Sequence, residues 1–293
     1  MDGFRVADAV AVGMPRRRLY DGRLHRPFHG VRTDHRPADH LELCRAATLA
    51  LPSGAVISHR SAAILHGMPL PRHAEPVAVE VCVFEPEHRP RVEGIVGHRV
   101  AVNGQRVVRI DGLQVFAPEE VWVQLGESLA PDDLVVIGDH LITGSEPYDG
   151  ARPPVTRAQL DDALSRHGSR RGARALRLAS PRVRYGPLSP QESRLRLALE
   201  DAGLPAPELN YRVTGADGRV GAMIDLAYPS FGVAIEYLGD HHRLTAAAYR
   251  KDIARREWLV QRGWSVVFVT AANSFTDVAR RVRAALRLAS GRT

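Results

Sequence analysis

The sequence predicts a multidomain chain that combines α+β and α/β organisation. Three observations lead there. The 293 residues are enough for two domains or more. Strand-like alternation occurs in two separate blocks, residues 76–116 and 207–238, each flanked by helical patterns. Between the blocks, residues 145–190 change character: Pro153-Pro154, Pro187, Gly144, Gly150 and Gly186 punctuate an arginine-rich stretch. The expected segments are 1–35, 36–145, 146–185 and 186–293.

Composition sets the outer bounds. At 44% hydrophobic and 25% charged, the chain reads as ordinary globular protein with a real core. No run of eighteen apolar residues exists, so no membrane-spanning helix is expected. The opening residues carry Asp2 and lack a basic stretch before the apolar one, so they do not read as a secretory signal. Cys44 and Cys82 cannot make a zinc site alone and do not suggest a disulfide scaffold. The expectation is a cytoplasmic protein. The net charge of +7 favours anionic partners, nucleic acid above all. Nearly all the positive charge is arginine, with Lys251 the one lysine, a bias that a GC-rich genome also produces.

Residues 4–32 open with a short helical pattern, followed by "RRRLYDGRLHRPFHGVR". Asp21-Gly22 marks a turn. A short helix and a basic ribbon resemble the second helix and wing of a winged helix-turn-helix, which would place Arg16, Arg17, Arg18, Arg23 and Arg26 near phosphates. A small helical cap with a solvated basic face is the alternative.

Residues 39–71 read as two helices broken at "LPSG", the second capped by Ser58 and stopped at Gly67. His59 and His66 share a helical face, at a spacing that suits partly buried helix residues better than zinc ligands. Three strands follow, "PVAVEVCVF", "GIVGHRVAV" and "RVVRIDGLQVF", and then two helices over 117–142. No catalytic constellation stands out in this half. Residues 146–185 read as a linker with a pair of basic helices carrying Arg166, Arg170, Arg171, Arg174 and Arg177.

The pattern sharpens at "SPQESRLRLALEDAGLP". Ser189, Pro190 and Glu192 form a helix-start signature, so Glu192 has a capping role open to it. Strands follow in "ELNYRVTGADGRVGAMIDLAYP" and "GVAIEYLG", with Asp217-Gly218 as the first turn. If the second turn centres on Ser230 and Phe231, strand partners sum to 461, and Asp225 faces Glu236. Alternation then places Ile224, Leu226, Tyr228, Val233, Ile235 and Tyr237 on one face, and Asp225, Ala227, Ala234 and Glu236 on the other. Directly opposed Cβ atoms lie about 5 Å apart. Two bare carboxylates at that spacing repel, so a proton or a cation must sit between them. A hard divalent ion with oxygen ligands suits the pair. Alternatively the pair brackets an arginine (Arg194, Arg243, Arg250 or Arg255), or the turn centres elsewhere. Asp240, His241 and His242 follow the exit glycine, Gly239. A helix to Gly263, a buried strand "SVVFVTA" and a final helix complete the order.

Two resemblances attach to these motifs. "RRRLYDGRLHRPFHGV", "SHRSAAILHGMPLP", "RIDGLQVFAPEEVWVQL" and "DDLVVIGDHLI" are similar to the N-terminal and central modules of AbiEi-type antitoxins, the regulators of type IV toxin–antitoxin pairs. That likeness covers about residues 1–145. It implies a front half that binds DNA or a toxin protein partner. "IDLAYP", "AIEYLGDHH" and "RKDIARREWLVQRGWSVVFV" resemble the very-short-patch-repair-like (Vsr-like) endonuclease domain of the PD-(D/E)XK superfamily, over about residues 186–293. It implies a restriction-endonuclease-like core in which Asp225 and Glu236 hold a magnesium ion. Glu192 would complete the acidic cluster, and His242, or less readily His241, would serve as base or ligand. Arg250, Lys251, Arg255 and Arg256 on the following basic helix would hold the DNA backbone. The sequence departs from the superfamily at Leu238, where the name implies lysine, and at Ile224, where a proline is usual. The competing expectation is a regulator whose back half binds without cutting. No GxSxG elbow, phosphate-binding GK[ST] loop or GxGxxG junction competes with these readings.

Overall fold

The computed structural model describes residues 3–215, 218–238 and 246–291, with backbone alone for 246–252. Mixed α and β structure forms two compact units: Met1–Ile142 with Pro154–Val183, and Thr143–Pro153 with Arg184–Thr293. None of the described helices is long and apolar enough to cross a membrane.

In the first unit, β1 (Gly3–Arg5) pairs antiparallel with β2 (Val31–Thr33). Between them lie α1 (Val6–Ala11) and the single turn α2 (Arg16–Leu19). The stretch expected as a basic ribbon is an irregular loop after α2, and its one bridge joins His25 to Thr33. The helix α3 (His40–Leu49) starts at Asp39, whose carboxylate accepts from Glu42 N at 2.8 Å.

A five-stranded sheet follows, built from β3 (Val56–Ile57), β4 (Val79–Phe84), β5 (Ile95–Val100), β6 (Val107–Ile110) and β7 (Leu113–Phe116). Its order is β5-β4-β3-β7-β6. The strand β3 follows just after the "LPSG" break, where its two residues carry too short a period to read from sequence. Helix α4 (His59–Leu65) leaves it directly. The two helices expected over 117–142 are α5 (Pro118–Leu125) and α6 (Pro131–Thr143). Trp122 is buried, and its indole N–H donates to Leu134 O at 2.9 Å, tying α5 to α6.

The segment expected as a linker is shared between the units. The short helix α7 (Glu146–Asp149) belongs to the second, whereas α8 (Arg157–His167) and α9 (Ala173–Ala179) belong to the first. These helices are basic on the outside only. Leu160, Ala163, Leu176 and Ala179 are buried, and each large apolar side chain so buried contributes about 1.5–3 kcal/mol. That outweighs any tendency to remain a solvated tether.

The second unit runs α10 (Pro190–Asp201), β8 (Glu208–Thr214), β9 (Val220–Tyr228), β10 (Val233–Leu238), α11 (Ala246–Val260), β11 (Ser265–Thr270) and α12 (Phe275–Ser290). The sheet order is β11-β10-β9-β8. β8, β9 and β10 form an antiparallel meander, and α11 carries the chain back so that β11 lies parallel to β10. One face packs Leu226, Tyr228, Val233 and Ile235 against Leu195 and Leu199 of α10 and Val278 and Val282 of α12. The other packs Ala227 and Ala234 against Leu259 of α11. The second layer, with α11 over it, holds the site.

Candidate functional site

Ser189 fixes the start of α10. Its side chain accepts from Glu192 N at 3.2 Å and donates to Glu192 Oε1 at 2.7 Å. Leu188 N donates to Glu192 Oε2 at 2.8 Å. Glu192 therefore caps its helix, as the sequence signature allows, and is only 8% exposed. Burial, and next the negative charge of Asp225, push its carboxyl up from 4.5 to about 7, although the two donated hydrogen bonds act the other way. The first helix and the hairpin are thus electrostatically linked through these two acids.

The hairpin register agrees with the expected sum. Val233 pairs with Tyr228, Ala234 with Ala227 and Ile235 with Leu226. The regular ladder ends one step before Asp225 and Glu236. There Tyr237 N donates to Asp225 Oδ2 at 2.8 Å, so a side-chain oxygen serves where a ladder carbonyl would otherwise accept. Alternation fails at one residue, Ile224, which packs with Ala227 and Ala234 instead of Leu226. At this level Asn210 of β8 has a left-handed backbone, φ 48°, between the pairs Leu209–Leu226 and Tyr211–Ile224.

Asp225 and Glu236 line one cavity of about 80 Å³ with Arg255, Arg256, Leu259 and Phe268. Glu236 is 5% exposed. Its Oε2 accepts from the Arg255 guanidinium, which also donates to Met223 O at 3.1 Å. Its Oε1 is buried and has no hydrogen-bond partner among the described residues. Of the arginines weighed for bracketing the acids, Arg255 is thus seated on Glu236. Arg256, expected with Arg255 as a contact to the DNA backbone, reaches the same cavity and places its guanidinium 5.5 Å from the Phe268 ring centroid. Helical spacing does not separate these adjacent arginines; the seating of Leu259 against the sheet does.

The donor set suits a hard cation in part. Two carboxylates share the cavity and one buried carboxylate oxygen lacks a donor, which is the chemistry such an ion takes. Among the described residues, no group of three or more His, Cys, Asp or Glu side chains gathers as a metal-holding cluster. His241, His242, Gly239, Asp240, Arg243 and Asp217 lie outside the described residues, as do the side chains of Arg250 and Lys251.

The other basic residues predicted to meet nucleic acid lie in the first unit. Arg16, Arg17 and Arg18 are exposed on α2. Arg23 is exposed, but its guanidinium is paired with Asp21 at 2.8 Å. Arg26 lies 5.7 Å from the Tyr20 ring centroid, and Arg32 lies 5.5 Å from it. His59 and His66 are structural neighbours of the core: His59 is 6% exposed, and His66 Nε2 lies 2.7 Å from Phe116 O.

Among curated proteins, the chain is similar to two uncharacterized proteins of Mycobacterium tuberculosis, MT2308 of strain CDC 1551 / Oshkosh and Rv2248 of strain ATCC 25618 / H37Rv. Each is 28% identical over 247 residues, covering 84% of this chain and 85% of the relative. No protein-family model matches the chain. No solved structure matches it.

Proposed function

We propose that the second unit is a magnesium-dependent DNA endonuclease with a restriction-endonuclease-like core, and that the first is an AbiEi-like module with a winged-helix-like N-terminus. The observation that carries the reading is the shared cavity of Asp225 and Glu236, opened by the break in the hairpin ladder and covered by a basic helix. The order helix, antiparallel hairpin, helix, parallel strand and helix supports it.

Phosphodiester hydrolysis adds water to phosphorus and expels one sugar oxygen. In this reading Asp225 and Glu236 hold magnesium, which when bound neutralises phosphoryl oxygen charge and acidifies water. The chain's own groups do the rest. Glu192, with its carboxyl near 7, exchanges a proton close to neutral pH. Arg255 and Arg256 bring guanidinium charge to the cavity wall, where it suits a backbone phosphate. His242 is retained as the proposed general base, and Arg250 and Lys251 as proposed backbone contacts. Arg16, Arg17, Arg18, Arg23 and Arg26 are proposed phosphate contacts of the first unit.

A second reading has its own observation. Arg255 already neutralises Glu236, and Leu238 stands where the superfamily carries lysine. Both suit a non-catalytic regulator that binds DNA or a toxin protein. Incubating the full chain with supercoiled plasmid, with magnesium or with chelator, separates them. The nuclease yields nicked circles with magnesium alone. The regulator retards DNA on a gel and leaves it intact.

A further inference from the structure

The first unit holds a cavity of about 290 Å³ that the proposed nuclease does not use. Five guanidinium groups line it, those of Arg89, Arg99, Arg166, Arg170 and Arg171, against the carboxylates of Glu120 and Glu127. Arg166 is committed to Glu120 and Asp162, and Arg99 lies 3.7 Å from Glu85. Arg89, Arg170 and Arg171 are exposed at the rim and form no side-chain ion pair among the described residues. The basic surface continues past Arg89 and Arg99 to His88 and Arg91.

The interior is built as well as charged. The buried His59 ring stacks on His98 with centroids 3.7 Å apart and planes 19° from parallel. His59 has φ 48°, a backbone conformation uncommon for a non-glycine residue. It is fastened there from two sides: its N–H donates to Gln124 Oε1 at 2.8 Å, and Nδ1 lies 3.0 Å from Ser58 Oγ. Residues held in such a conformation concentrate at ligand sites. Two nitrogens on the cavity's lining residues, His98 Nε2 and Arg166 Nε, are buried without a hydrogen-bond partner among the described residues. Burial holds both imidazoles below the usual histidine range, His59 down to about 3, so the stacked rings are neutral at physiological pH.

We infer that this cavity binds a small organic anion, whose phosphate or carboxylate group meets Arg89, Arg170 and Arg171 at the rim and whose acceptor atoms meet His98 and Arg166 inside. Guanidinium groups suit both anions because their paired N–H groups match two oxygens at once. The volume is close to that of small-molecule pockets and admits a sugar phosphate or mononucleotide.

Calorimetric titration of the full chain with inorganic pyrophosphate, AMP and citrate tests the assignment. The expected result is saturable binding of at least one probe with Kd below about 1 mM. Pyrophosphate or AMP against citrate distinguishes a phosphate from a carboxylate. Arg170→Ala and Arg171→Ala, both on exposed loop residues, are each expected to weaken binding about tenfold. His98→Gln alters the interior, and addition of ligand is expected to shift the His98 ring resonances in the wild type. Asp225→Asn is expected to bind as tightly as wild type, which keeps this site separate from the proposed nuclease. No saturable binding of any probe overturns the inference. So does binding that both rim variants leave unchanged, or a single-stranded oligonucleotide that displaces AMP from the rim at far lower concentration.

Discussion

Arg255 and Glu236 share one hydrogen bond and leave half of a carboxylate unserved: the guanidinium donates to Oε2, while Oε1 is buried without a partner among the described residues. A buried carboxylate with one partnered oxygen is poised between an arginine and a cation. Helix α11 supplies the arginine, and the hairpin supplies the second acid, Asp225.

Removing the guanidinium exposes this balance. Arg255→Leu leaves the Glu236 charge uncompensated and is expected to lower stability by about 1–3 kcal/mol, less than for a fully buried pair because Arg255 is partly exposed. Magnesium should restore part of that loss. Urea unfolding of wild type and variant, each with and without magnesium, reads it. An equal magnesium response in the two proteins would mean that Glu236 does not exchange guanidinium for cation.

Asp225 has a backbone role and a charge, and the two separate cleanly. Asp225→Asn keeps an oxygen that can accept from Tyr237 N, so the hairpin is expected to lose no more than about 1 kcal/mol. Asp225→Ala removes the acceptor and is expected to cost about 1–3 kcal/mol. Thermal unfolding of the pair should show this order, while any magnesium-dependent cleavage falls with both.

Glu192 gives the protein a stability loss that grows with pH. Its carboxyl is raised from 4.5 to about 7, so the folded chain keeps a proton that the unfolded chain releases. Between those values the folded state binds more protons, and stability falls as pH rises through the window. Glu192→Gln removes the effect. Relative to wild type, the variant is expected to gain about 2–3 kcal/mol between pH 5 and pH 8. Denaturant midpoints taken across that range should diverge; parallel curves would show that Glu192 titrates normally.

Helix α11 is seated on the sheet through a glycine. A Cβ on Gly221 would collide with the six-membered ring of Trp258, over which the Arg262 guanidinium stands 3.7 Å from the ring centroid. Gly221→Ala is expected to displace the indole and cost about 1–3 kcal/mol, with a red-shifted tryptophan emission as the ring gains water. An unshifted spectrum at wild-type stability would show that α11 repacks freely.

The hairpin was legible in the sequence because turn chemistry and two-residue alternation fix register together. The partner sum of 461 holds from Val233 to Ile235. What the sequence could not show is what happens one step further, where Tyr237 N turns to a side chain and Ile224 leaves the face of Leu226. Those are three-dimensional accommodations without a period. Arg255 was one of four arginines weighed, and only the packing of α11 chooses among them. The His59–His98 stack was hidden for a simpler reason. The rings belong to α4 and β5, far apart in the chain, and meet only when β4 brings the two elements together. The basic helices α8 and α9 are legible as a pair, but their arginines dominate the pattern and hide Leu160 and Leu176, whose burial makes the pair part of the first unit.

The central claim is that Asp225 and Glu236 together make the second unit a magnesium-dependent nuclease. Its most direct test is the rate of plasmid nicking by wild type, Asp225→Asn and Glu236→Gln, all confirmed folded, over a magnesium titration. Wild type is expected to nick plasmid in a manner that saturates with magnesium and stops with chelator, and each variant to lose about 100-fold or more of that rate. Wild-type nicking that either variant retains, or DNA bound by all three and cut by none, would contradict it.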